Sequence, residues 1–160
     1  TPLLAGKDVG IISEAGCPGI ADPGAELGNL AHRTGIRVIP LVGPSSILLA
    51  IMASGMNGQC FAFHGYLPIA ESERYKTITN LEAESARRQQ TQIFIETPYR
   101  NEKLFSALLN QCRPNTQLCV ATDISLTSEQ IQTRSIAQWK SQPAPALNKR
   151  PSLFLLLANR

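Results

Sequence analysis

Apolar and polar positions change rhythm several times along the chain. Residues 7–12, KDVGII, form a short apolar run that predicts a buried strand. Residues 13–24, SEAGCPGIADPG, place Gly16, Gly19 and Gly24 beside Pro18 and Pro23. No helix or strand interior tolerates that density, so this stretch is a loop. Residues 25–34 have helical spacing through Leu27, Leu30 and Ala31, with Gly35 placed to close the helix. IRVIPLV, residues 36–42, predicts a second buried strand, broken by Pro40. GPSS follows, then an aliphatic helix over residues 47–53 that is apolar nearly all round and so belongs at a buried position or an interface.

The second part keeps a different beat. CFAFHGYLP, residues 60–68, alternates like a strand running into a turn. Residues 72–89 predict a Glu- and Arg-rich helix with Tyr75, Ile78, Leu81 and Ser85 on one face. Residues 91–97 form a strand of strong β formers, ended by Pro98. Asn101 is the expected N-cap of a helix that turns Leu104, Phe105 and Leu108 inward. Residues 117–122 are another strand, and Ile131, Ile136 and Trp139 mark a further strand and a short helix. Residues 152–157, apolar on both faces, read as a central strand.

The order strand, loop, helix, strand, loop, helix in residues 1–59 is an α/β unit with parallel strands. Two strands do not make a stable parallel sheet. The expectation is therefore the C-terminal part of a first domain whose other strands lie upstream, followed by a second α/β or α+β domain over residues 60–160.

A chain of 160 residues accommodates one large or two small domains. Its 43% hydrophobic content supplies a core, and 17% charged residues is low enough to suggest that some surface is normally covered. No stretch approaches the length of a membrane-spanning helix. The net charge of +3 is mild but uneven: residues 1–60 hold three basic and four acidic side chains, whereas residues 61–160 hold twelve and eight. A polyanion would lean on the second part. Four cysteines without a CxxC pair, and only two histidines, argue against zinc and for reduced thiols in a cytoplasmic protein.

The sharpest chemical features are the two glycine-bearing loops, each after an expected strand and before a helix, where open α/β sheets bind ligands. In the first, Gly16 and Gly19 let a ligand approach the backbone, and Asp22 is placed to cap the following helix. A tight structural crossover fits that loop equally well. In the second, Gly43, Pro44, Ser45 and Ser46 offer free amides, with a plain N-cap as the bland alternative. Neither GxGxxG nor GxxxxGK[ST] is present, so the usual dinucleotide and P-loop fingerprints fail. HGYLP places His64 and Tyr66, and ETPYR places Glu96 and Arg100, at strand ends; Glu96 can pair with Arg100, or Arg100 can bind a phosphate or carboxylate. Arg74, Arg87 and Arg88 read as solvent-facing, and Asp123 is a further pocket candidate.

Four segments together resemble the tetrapyrrole methylase superfamily, closest to its branch of small-subunit ribosomal RNA cytidine 2′-O-methyltransferases. They are SEAGCPGIADPG, VIPLVGPSSILLAIMASGM (residues 38–56), FAFHGYLP (residues 61–68) and FIETPYRN (residues 94–101), in matching order and spacing. The resemblance implies a two-domain, dimeric α/β enzyme that binds S-adenosylmethionine between its domains, with no metal. It implies a donor site at Ser13, Ala15, Gly16, Gly43, Pro44, Ser45 and Ser46, walled by Leu67 and Pro68. Transfer to a ribose hydroxyl needs a proton acceptor, for which Glu14, His64 and Glu96 are candidates. Tyr66, Arg74 and Arg100 are the candidate substrate contacts.

The tail departs from the pattern at ATDISLTSEQ, residues 121–130, and at KRPSLFLLL, residues 149–157. The acceptor is accordingly ribosomal RNA or a tetrapyrrole. An inactive structural or dimerisation piece, with the helix over 47–53 as the subunit contact, is the non-enzymatic alternative.

Overall fold

The computed structural model describes residues 2–159. The chain divides into two compact units, Thr1–Ser45 and Ser46–Arg160.

The first unit contains one helix of length, α1 (Ala25–Arg33), after a single 3-10 turn at Leu3–Ala5. Glu26 in its first turn and His32 and Arg33 in its last complement the helix dipole. Gly35 closes it at φ 69°, and the Ile36 N–H returns to the Ala31 carbonyl at 2.9 Å. Residues 7–12 and 36–42 were expected as strands, yet neither forms one among the described residues. A strand exists through its ladder of partners, and neither segment has one. Their apolar side chains stay open, Ile12 at 94% and Leu41 at 88% exposure.

The second unit is a five-stranded sheet in the order β1-β2-β5-β3-β4 with helices on both faces. The strands are β1 (Phe61–Tyr66), β2 (Thr91–Ile95), β3 (Gln117–Thr122), β4 (Gln130–Ser135) and β5 (Ser152–Leu157). The helices are α2 (Ser46–Ser54), α3 (Glu71–Arg88), α4 (Asn101–Gln111) and α5 (Ile136–Lys140). Only β1 and β2 pair in parallel; the other three pairings are antiparallel. β5 lies at the centre, as its two apolar faces required.

Alternation along the strands sorts the core into two layers. Phe94, Leu118, Val120, Phe154 and Leu156 face α3, α4 and α5. Ile93, Cys119, Ala121, Leu153 and Leu155 face α2, which contributes Ile47, Ala50 and Ile51. Phe94 and Phe154 are directly opposed in the β2–β5 register, with parallel rings 6.2 Å apart. Phe105 meets Trp139 edge to face at 5.4 Å. Full burial of each such side chain is worth about 1.5–3 kcal/mol.

The aliphatic helix thus buries one face on this sheet and leaves Leu48 and Met52 exposed, rather than being covered on most faces. That contact groups α2 with the second compact unit. α3 ends in Gln89, whose φ of 53° gives a left-handed cap. Asn101 does not cap α4: its Nδ2 donates across to the Arg150 carbonyl at 2.7 Å and tethers the loop before β5. Among the described residues, no helix is long and apolar enough to cross a membrane.

Candidate functional site

The loop of residues 13–24 is held by its own backbone. The Ser13 hydroxyl donates to the Ala15 carbonyl at 2.8 Å, and the Gly19 N–H to the Pro23 carbonyl at 3.2 Å. Gly24 has φ 141°, and a Cβ there would lie 3.2 Å from the Gly19 nitrogen, so only glycine closes this loop without strain. α1 then starts at Ala25 with Gly24 as N-cap and no side-chain cap bond. Asp22 is therefore not the cap expected of it. The loop turns back on itself through Gly24 and leaves Asp22 short of the helix.

The two glycine loops meet within the first unit. The Cys17 thiol donates to the Pro44 carbonyl at 3.3 Å, joining the turn that carries Gly16 to the one that carries Gly43, Pro44 and Ser45. Ser46 lies beyond, exposed at the start of α2. Beside the first loop runs a groove of about 650 Å3. Ile11, Ile12 and Leu30 give it an apolar wall, while Ser13, Glu14, Asp22 and Glu26 give it oxygens. Its three carboxylates and apolar wall suit a small cationic molecule with an apolar part.

The remaining candidates belong to the second unit. β1, β2 and β3 run the same way, so HGYLP, ETPYR and Asp123 gather at one end of the sheet. Tyr66 is exposed there, and so is Tyr99, which the sequence reading passed over. His64 lies on the exposed edge strand with its Nε2 hydrogen-bonded to Gln92 Oε1. Pro68 is half-buried, whereas Leu67 is a core residue packed with Ile78 and Phe94.

Glu96 is buried, and its Oε1 accepts from Arg100 Nε at 3.0 Å, Arg100 Nη2 at 2.7 Å and the Thr97 N–H at 2.7 Å. The pair holds the Arg100 guanidinium in place while leaving its side chain about one-third exposed. Asp123, at φ 52°, accepts from Arg150 Nε and the Ser128 hydroxyl, both at 2.8 Å. Those two bonds hold its carboxyl below the usual carboxylate range.

Arg74 contradicts its expected solvent-facing position. It is buried, its Nη1 donates to the Ile69 carbonyl at 2.8 Å, and its guanidinium lies 6.0 Å from the Tyr75 ring. That bond ties its head to the backbone just before α3. Arg87 and Arg88 are exposed as expected and pair with Glu84. No sequence signal separates position 74 from these two, because helical charge alone does not tell an arginine that folds back from one that points out.

No family model matches the chain. Curated proteins do. Over 157 residues, 98% of this chain and 53% of the relative, it is 30% identical to ribosomal RNA small subunit methyltransferase I of Vibrio cholerae. Over 106 residues, 66% of this chain and 35% of the relative, it is 39% identical to the protein of that name from Bacillus subtilis. The chain spans about half the length of the curated relatives it matches, or less. Among solved structures, that of the methyltransferase CobJ aligns with 89% of this chain and 62% of its own, at a TM-score of 0.57 and 16% identity, a likeness of fold alone. The chain is a homologue of the ribosomal RNA small subunit methyltransferase I proteins, and its fold is similar to that of the methyltransferase CobJ.

Proposed function

We propose that this chain is the donor-binding and acceptor-side portion of an S-adenosylmethionine-dependent methyltransferase that acts on a ribose 2′-hydroxyl of small-subunit ribosomal RNA. The observation that carries the reading is the Cys17–Pro44 contact, which brings the two glycine loops together beside an acidic, apolar-walled groove. S-adenosylmethionine, when bound, supplies a methyl group already activated on a sulfonium.

The chain's own part is alignment and proton handling. Backbone groups of Ser13, Ala15, Gly16, Gly43, Pro44, Ser45 and Ser46 hold the donor; the glycines let them approach closely. Leu67 and Pro68 fix the turn that follows β1. Glu14, exposed on the groove, accepts the ribose proton at its carboxylate. His64 is the second candidate acceptor. Glu96 acts through Arg100, which it orients for a phosphate, and Tyr66 offers a ring face to a base.

On this reading residues 1–59 belong to a first domain and residues 60–160 to a second. The working enzyme is a cytoplasmic homodimer.

The test is to incubate the protein with methyl-labelled S-adenosylmethionine and either unmethylated small ribosomal subunits or tetrapyrroles. Label in ribosomal RNA that resists base removal supports ribose transfer. Label in the tetrapyrrole alone, or in neither, overturns the reading.

A further inference from the structure

On the far side of the sheet from the exposed β1 edge, β4 is also an edge strand, and its two faces differ. Ile131 packs toward α2, and the Thr133 hydroxyl donates to the Ser54 carbonyl at 2.7 Å. The opposite face carries Gln130, Gln132 and Arg134 at successive alternate positions. A half-buried strand would turn apolar side chains toward its helix there. These three instead line a half-open cavity of about 240 Å3, together with Thr122, Trp139 and Gln142.

The lining is chemically specific. Glutamine amides each present a donor and an acceptor, the pairing that reads the edge of a nucleobase. The Arg134 guanidinium sits 4.8 Å from the centre of the Trp139 ring, and Trp139 is itself fixed by its Nε1 donating to the Leu118 carbonyl at 2.8 Å. Stacking pre-organises the guanidinium. Among the described residues, no carboxylate forms a salt bridge with Arg134, whereas Arg87, Arg88, Arg100, Arg113 and Arg150 each have one. Arg150 Nη1 reaches Gln130 Oε1 at 3.4 Å and steadies that side chain at the rim, its charge being met by Asp123. Residues 117–160 hold five basic and two acidic side chains, an excess of +3 that equals the net charge of the whole chain.

We propose that this β4–α5 cavity binds one unpaired nucleotide of single-stranded RNA, its base edge on Gln130, Gln132 and Gln142 and its phosphate on Arg134. The cavity is smaller than the roughly 300–1,000 Å3 of drug-sized sites and suits a single ring system. Gln130 lies at the same sheet end as Tyr66, four strand spacings or about 19 Å away, and as Arg100, which follows β2 at three spacings or about 14 Å. The nucleotide is therefore not the acceptor but one further along the strand. This inference rests on the RNA reading above and extends it to a second contact.

Trp139 is the single tryptophan of the sequence, so its fluorescence reports the cavity directly. The protein is titrated with short unstructured oligouridylate and oligocytidylate, with heparin as a polyanion control. S-adenosylmethionine binding is measured on the same preparation by calorimetry. The expected result is quenching of Trp139 by RNA, with affinity reduced about tenfold in Arg134→Ala and in Gln132→Ala. Arg134→Lys, which keeps the charge but loses the planar fork, should recover part of the Arg134→Ala loss.

Equal quenching by heparin, or variants that bind RNA as the parent does, overturns the proposal. RNA that fails to bind while the donor binds overturns it too and leaves the methyltransferase reading standing. Donor that fails to bind while RNA quenches Trp139 supports the cavity and removes the methyltransferase reading.

Discussion

The Cys17 thiol and the Pro44 carbonyl, 27 positions apart in sequence, lie 3.3 Å from one another. The loop of residues 13–24 and the turn after residues 36–42 therefore share one end of the first unit, which two independent crossovers would not require. A thiol is a weak donor, so the contact reports proximity more than it supplies energy. Cys17→Ala should weaken donor binding by less than tenfold, as loss of one weak hydrogen bond implies. Calorimetry with S-adenosylmethionine checks this; a complete loss would mean that the thiol itself contacts the donor.

Gly24 should be the least replaceable residue of that loop. Its φ of 141° and the 3.2 Å approach of Gly19 strain any side chain placed there. Gly24→Ala should cost about 1–3 kcal/mol of local stability. Hydrogen exchange should then rise across residues 13–30 and stay unchanged in the sheet of the second unit. Uniformly faster exchange would contradict it.

The Asp123–Arg150 pair predicts a pH signature. The bonds from Arg150 and Ser128, with the guanidinium charge, depress the Asp123 carboxyl, so its stabilising contribution is present above the ordinary carboxylate pKa. It is lost as pH falls through the lower folded value. In urea melts, Asp123→Asn should be less stable than the parent at pH 7. The gap should narrow steadily below about pH 4. A gap that persists unchanged into strong acid would show that the ionised carboxylate is not what matters.

Thiol chemistry should divide the cysteines two and two. Burial and the nearby Glu82 charge push the Cys112 thiol up to about 12, and burial raises Cys119 as well. Cys17 and Cys60 are only half-buried. A disulfide reagent at pH 8 should therefore label Cys17 and Cys60 in the native protein, and Cys112 and Cys119 only after denaturant is added. Native labelling of Cys112 on the same timescale would contradict the packing of α4.

Ser85 joins three elements with one hydroxyl. It donates to the Gln90 carbonyl at 2.8 Å and accepts from the Ala158 N–H at 2.9 Å, closing β5 onto the end of α3. Ser85→Ala leaves that buried N–H without a partner and should lower stability by about 1–3 kcal/mol. Chemical denaturation measures it.

Most of the second unit was legible from periodicity. The faces assigned through Ile78 and Ser85 in α3 and through Leu104, Phe105 and Leu108 in α4 are the buried ones, and β5 is central. The misses share one cause: they depend on partners distant in sequence. Arg74 reads as surface until its head is seen on the Ile69 carbonyl, and Asn101 reads as a cap until its amide is seen on the loop before β5. Residues 7–12 and 36–42 have the composition of strands but no ladder partner. The polar face of β4 looks like an ordinary exposed edge until the cavity it lines with Trp139 is seen. For the candidate site, the sequence marked the two loops, and the structure adds that they touch and that Glu96 holds Arg100.

The most direct test of the account is a calorimetric titration of the protein with S-adenosylmethionine, repeated on Gly16→Val and Gly43→Val. One-to-one binding that both substitutions abolish, with the melting of the second unit unchanged, is the result the account predicts. Binding that survives both substitutions at the parent's affinity would contradict it, because the donor would then lie away from the two glycine loops.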